Sequence, residues 1–91
     1  MLSMQTYHSI KETEMLEIFS FNLRHLRKSP THKLSQKVLA RILHVPLCSY
    51  TSYEHGKRLP PVYVVYRIAC YYDYTMEELL TQKIYKKKGQ I

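Results

Sequence analysis

Ninety-one residues are enough for one small domain. At 45% hydrophobic and 23% charged, the composition excludes a disordered chain, and no apolar run approaches the length of a membrane span. Fourteen Lys and Arg against seven Asp and Glu give a net charge of +7, a field that attracts polyanions.

Only two glycines, four prolines and no long alternating β-branched runs point to an all-α fold. The N-terminal residues lack a basic flank followed by an apolar core, so no signal peptide is expected. Residues 1–14 read as an N-terminal extension, 15–83 as the folded domain and 84–91 as a basic tail.

Ser9 and Glu12 have the spacing of a capping box, and Thr13 offers a second start. Met15, Ile18, Phe19, Leu23 and Leu26 then recur at helical steps. This first helix should end near Lys28, because Ser29 precedes Pro30 and a residue before proline disfavours the helical region. Ser35 caps a second helix, with Gln36 in its first turn and Val38, Leu39, Ile42 and Leu43 as its apolar face. Ala40 is small enough for another backbone to come close. His44 stands where the chain must turn, and a left-handed conformation is expected there.

Pro46 suits the first position of a third helix running from about Leu47 to Glu54 or His55, with Gly56 as its stop. Val45, Tyr50 and Tyr53 fall on one side of this helix. Leu47, Cys48, Thr51, Ser52 and His55 fall on the other. Pro61 opens a fourth helix, whose inward face reads Val62, Val65, Ile68, Ala69 and Tyr72, and Asp73 ends it. Thr75 and Glu78 form a capping box for a fifth helix, with Met76, Leu79 and Leu80 inward.

The charge is unevenly placed. Between Ile18 and Arg67 the only acid is Glu54, while Arg24, Arg27, Lys28, Lys33, Lys37, Arg41, Lys57, Arg58 and Arg67 all lie in that span. The basic surface therefore coincides with the second and third helices. A short helix with an uncharged outer face, flanked by Lys57 and Arg58, suits a DNA major groove, which admits one helix while flanking cations hold phosphates. The break at His44–Pro46 lets the third helix cross the second steeply and protrude.

Enzyme chemistry finds no support: there are no paired carboxylates, no nucleophile beside a base and no glycine-rich phosphate loop. The five histidines and two cysteines lack the spacing of a zinc site, so no metal and no cofactor is expected. Cys48 and Cys70 form no C-x-x-C pair, which fits a reducing cytoplasm.

Three blocks, "LSQKVLARILHV", "YTSYEHGKRLP" and "RIACYYDYTMEELL", occur in order and at near-correct spacing. Together they resemble the Cro/C1-type helix-turn-helix family, the group of phage repressors and small bacterial regulators, over roughly residues 19 to 82. The resemblance implies a lambda-repressor-like bundle of five helices that binds double-stranded DNA as a homodimer. By motif position Gln36 matches a glutamine that holds a phosphate. Leu47, Cys48, Thr51 and Ser52 match positions that face base edges, and Lys57 and Arg58 match a loop that touches the DNA backbone. Arg27 and Glu54 match a pair that joins inside the fold, which also gives the isolated acid a partner.

The sequence departs from the family at several of these positions. His44 stands where glycine is usual, Tyr50 replaces a common Ile or Val, and the loop from Arg27 to Gln36 is about two residues longer than usual. Pro46 replaces a capping Ser or Thr. Leu47 and Cys48 stand where base-reading side chains are common, and neither makes a bidentate hydrogen bond. An alternative reading is therefore a protein-binding module on the same scaffold, antitoxin-like or anti-repressor. Tyr63, Tyr66 and Tyr71 of the fourth helix would supply its partner patch.

Overall fold

Five helices account for the regular structure in the computed structural model, which describes residues 10–31 and 33–85. They are α1 (Glu12–Arg27), α2 (Gln36–Leu43), α3 (Leu47–Glu54), α4 (Val62–Tyr72) and α5 (Met76–Thr81), with no strand among the described residues. The expected capping residue Ser9 and the cationic run after Tyr85 lie outside the described residues.

Helix α1 starts with Lys11 at the N-cap, and the Lys11 backbone N–H donates to Glu14 Oε1 at 3.2 Å. Ser35 caps α2 by accepting from the Val38 N–H at 3.1 Å. Thr75 and Glu78 form the reciprocal box at α5, with bonds of 3.0 and 2.9 Å. Pro46 and Pro61 sit at the N-cap positions of α3 and α4, one residue ahead of the first helical position expected for them.

Three residues with positive φ end the helices: His44 (φ 60°) after α2, Gly56 (φ 72°) after α3 and Asp73 (φ 62°) after α4. After each, the next N–H reaches back five residues. Val45 donates to the Ala40 carbonyl at 3.0 Å, Lys57 to Ser52 at 3.0 Å and Tyr74 to Ala69 at 2.9 Å. These bonds satisfy carbonyls that the helix end leaves open. The same geometry therefore stops three successive helices, and at His44 it is kept without glycine.

The core joins Phe19, Leu23 and Leu26 of α1 to Leu39, Ala40 and Leu43 of α2, Tyr50 and Tyr53 of α3, and Leu79 of α5. From α4 it takes Val64, Val65, Ile68, Ala69 and Tyr72. Helix α1 packs on α3 and α5, and α2 on α3 and α4. Two sequence expectations change here. Val62 is 69% exposed and Val64 is buried instead, because Val62 is the first residue of α4 and points away from the bundle. Val38 and Ile42 are exposed at 39% and 38%, since α2 seats through Leu39, Ala40 and Leu43.

Asn22 is a fully buried polar residue on the apolar face of α1. Its Nδ2 donates to the Leu79 carbonyl at 2.9 Å and the Gln82 carbonyl at 2.8 Å, and its Oδ1 accepts from the Ile84 N–H at 2.7 Å. That clasp draws the chain after α5 onto α1, and it buries Ile84, which the sequence placed at the head of a tail. Among the described residues no helix is long and apolar enough to cross a membrane.

Candidate nucleic-acid interface

The polar contacts that tie α3 to α1 and to the start of α2 converge on Glu54, its last residue. The Glu54 side chain is almost fully buried, and it ends within reach of four donors. Arg27 Nε lies 2.5 Å from Oε2 and Arg27 Nη2 lies 3.1 Å from Oε1, so the guanidinium grips the carboxylate with two N–H groups. Gln36 Nε2 donates to Oε1 at 2.8 Å. The Tyr50 hydroxyl, one turn earlier on α3, donates to Oε2. Arg27 also donates from Nη1 to the Leu34 carbonyl at 2.9 Å, which fixes the loop before α2.

Electrostatics follow from this packing. Burial pushes the Glu54 carboxyl up, but the hydrogen bonds from Arg27, Tyr50 and Gln36 and the charge of Arg27 outweigh it and hold the group below its usual range. The hydrogen bond to Glu54 raises Arg27 further. Burial, and then the hydrogen bond to Glu54, push the Tyr50 phenol far up, so it stays a neutral donor.

A second arginine, Arg24, donates from Nη1 to the Glu54 backbone carbonyl at 2.6 Å and neutralises the negative end of α3. Arg67 does the same for α2 through the Leu43 carbonyl at 2.9 Å. In the sequence alone both read only as surface charge. Their signal was positional, because Arg24 lies three residues before Arg27 and so faces the same way along α1.

With its inner side held, α3 turns Leu47, Cys48, Thr51 and Ser52 to the outside. Leu47 is 43% exposed, Cys48 is exposed, and Thr51 and Ser52 are half-buried. The Thr51 and Ser52 hydroxyls donate to the Cys48 carbonyl at 2.9 and 3.1 Å. Lys57 stands exposed beyond the helix end. Arg58 folds back: its Nη2 donates to Ser49 Oγ at 3.2 Å and its guanidinium lies 5.4 Å from the centre of the Tyr53 ring. The structure thus brings Leu47, Cys48, Thr51 and Ser52 onto one face with Lys57 and Arg58 at its end. It places the Gln36 side-chain amide on the Glu54 carboxylate, behind α3 rather than on that face. Among the described residues no group of His, Cys, Asp and Glu could hold a metal ion.

A family model described as helix-turn-helix matches residues 23–79, more than half of the chain. No curated protein and no solved structure gives a significant match.

Proposed function

Since the chain belongs to the Cro/C1-type helix-turn-helix family, we propose that it is a double-stranded DNA-binding transcriptional regulator, a repressor, whose helix α3 enters the major groove. One observation carries this reading: a helix with an uncharged outer face is locked from behind by Glu54 and flanked by Lys57 and Arg58. Leu47, Cys48, Thr51 and Ser52 face the base edges, and Lys57 and Arg58 hold phosphates. Gln36 contributes through the start of α2, where a second amide N–H and the open backbone N–H groups favour an anion. Arg27 and Glu54 are structural, and catalysis plays no part.

The protein acts as a homodimer on paired half-sites, in the cytoplasm, where the free thiols of Cys48 and Cys70 persist. Salt dependence tests the reading. With six phosphate contacts, affinity for random-sequence duplex should fall roughly a thousandfold between 50 and 200 mM salt. A flat response overturns it.

A second reading is favoured by exposed aromatics. Tyr63, Tyr66 (60% exposed) and Tyr71 on α4, with Ile42 of α2, leave an apolar surface rich in tyrosine, a residue common at protein interfaces. That surface suits a protein partner. The readings separate on Tyr66→Asp: loss of a protein partner with unchanged DNA affinity supports the second.

A further inference from the structure

Helix α3 carries no Arg, Lys, Asn or Gln; its residues read LCSYTSYE. The side chains that grip guanine (Arg, Lys) or adenine (Asn, Gln) through two hydrogen bonds are therefore missing from it, which leaves single hydrogen bonds and apolar contact to discriminate. Two of its hydroxyls already donate within the helix. Thr51 Oγ1 and Ser52 Oγ both direct their protons at the Cys48 carbonyl, at 2.9 and 3.1 Å. Ser49 Oγ accepts from Arg58 at 3.2 Å. In this arrangement the Thr51 and Ser52 protons rest on the Cys48 carbonyl, and their oxygen lone pairs face an incoming donor. Beside them Leu47 and Cys48 supply an exposed apolar margin.

Each base pair presents a different edge to such a surface. Guanine shows only acceptors, N7 and O6. Adenine shows the N6 amino donor, and thymine adds a C5 methyl group. Cytosine offers an amino group without a methyl; both kinds of pair bring one donor and two acceptors to this edge, so the methyl is what sets A·T apart. Only an A·T pair combines a donor for the hydroxyl oxygens with a methyl for Leu47. Resting on the DNA-binding reading above, we infer that α3 selects A·T pairs at the centre of its contact: Thr51 and Ser52 accept from adenine N6, and Leu47 packs on the thymine methyl.

Selection of duplexes from a random pool by the full chain should therefore enrich A·T pairs at two or more neighbouring positions of each half-site. Replacing those thymines one at a time by deoxyuridine removes only the methyl group. At one or more positions this should weaken binding about fourfold, the effect of burying one methyl. Leu47→Ala should then bind the thymine and deoxyuridine duplexes alike. Replacing an adenine by purine, which lacks the N6 amino group, should weaken binding about two- to tenfold. Thr51→Val with Ser52→Ala should erase that difference. Enriched guanine at these positions, uracil equal to thymine at every position, or binding without preference overturns the inference and leaves DNA binding intact. Failure to bind any duplex at low salt overturns the DNA reading itself.

Discussion

Arg27 Nε lies 2.5 Å from Glu54 Oε2, and this contact ties the last turn of α1 to the last residue of α3. The pair sits at 12% and 2% side-chain exposure, so each charge depends on the other for its solvation. Gln36 and Tyr50 complete the shell around the carboxylate. The seat of α3 on the bundle is thus held by a fully hydrogen-bonded acid as well as by the apolar contacts of Tyr50 and Tyr53.

Removing one partner should be costly. Arg27→Met or Glu54→Gln is expected to destabilise the fold by about 3–5 kcal/mol, which rivals the whole stability of a small domain. Replacing the network together, as Arg27→Met, Glu54→Leu and Tyr50→Phe, should recover most of that loss, because no buried charge or hydroxyl is then orphaned. Urea unfolding followed by circular dichroism gives both values. A triple variant as unstable as the single ones argues against the desolvation account.

Acid should weaken the same joint. The Glu54 carboxyl titrates below its usual range in the folded chain, so folding favours its ionised form. Its contribution to stability is complete above the ordinary carboxylate pKa, about 4.3, and is lost as pH falls through the lower folded value. The urea midpoint should therefore drop steeply below about pH 4. In Glu54→Gln that part of the slope should vanish, whatever the variant's midpoint at neutral pH.

The left-handed turn at His44 stores strain that glycine would release. His44 holds φ 60° and ψ 44°, a conformation that costs a non-glycine residue about 1–2 kcal/mol. Glycine gives back part of this through the unfolded chain's entropy, about 0.5–1 kcal/mol. His44→Gly should raise stability by about 0.5–1 kcal/mol and the melting temperature by about 2–8 °C. Gly56→Ala should do the reverse, by about 1–2 kcal/mol. At Gly56 φ is 72° and an added Cβ would meet Ser20 Oγ at 3.2 Å. Calorimetry on the two variants tests the opposite signs.

Asn22 predicts a local effect distinct from these. Asn22→Leu would leave the Ile84 N–H and the Leu79 and Gln82 carbonyls without their buried partner. A loss of about 2–3 kcal/mol is expected, because the released segment can turn part of these groups to water. Amide exchange should accelerate most at Ile84, with little change in α2 and α3. Uniform acceleration throughout the chain would contradict a local clasp.

The helices themselves were legible because their punctuation is local. Ser35, the Thr75–Glu78 box and Gly56 each act within a turn of where they stand, and three- and four-residue periodicity filled in the rest. The inward faces of short helices were less legible. In an eight-residue helix such as α2, a rotation of one residue exchanges Val38 and Ile42 for Ala40, and periodicity over two turns does not fix it. Asn22 had a signal that went unread: it stands at a core step between Phe19, Leu23 and Leu26, where a polar residue implies a buried partner. Its partners lie 57 to 62 residues away, and no local pattern names them. The return of Arg58 onto Ser49 and Tyr53 depends on the loop after Gly56, whose path only the folded chain defines.

That return shapes the last expectation. Lys57 and Arg58 are both exposed, but Arg58 is already held against α3. If each neutralises one phosphate, its alanine substitution should lower the slope of log affinity against log salt by about 0.9, and the double substitution by about twice that. The weakening should be nearly uniform across sequences, because phosphates carry no base identity. The two residues should still differ in one respect. Arg58→Lys keeps the charge and loses the planar fork that meets Ser49 Oγ and covers Tyr53, so its salt slope should stay near the parent's while affinity falls. Lys57→Arg should change neither by much. Filter binding or fluorescence anisotropy over a salt series reads both quantities. An unchanged slope in the double alanine variant would remove Lys57 and Arg58 from the phosphate contacts and leave the α2 start as the remaining anchor.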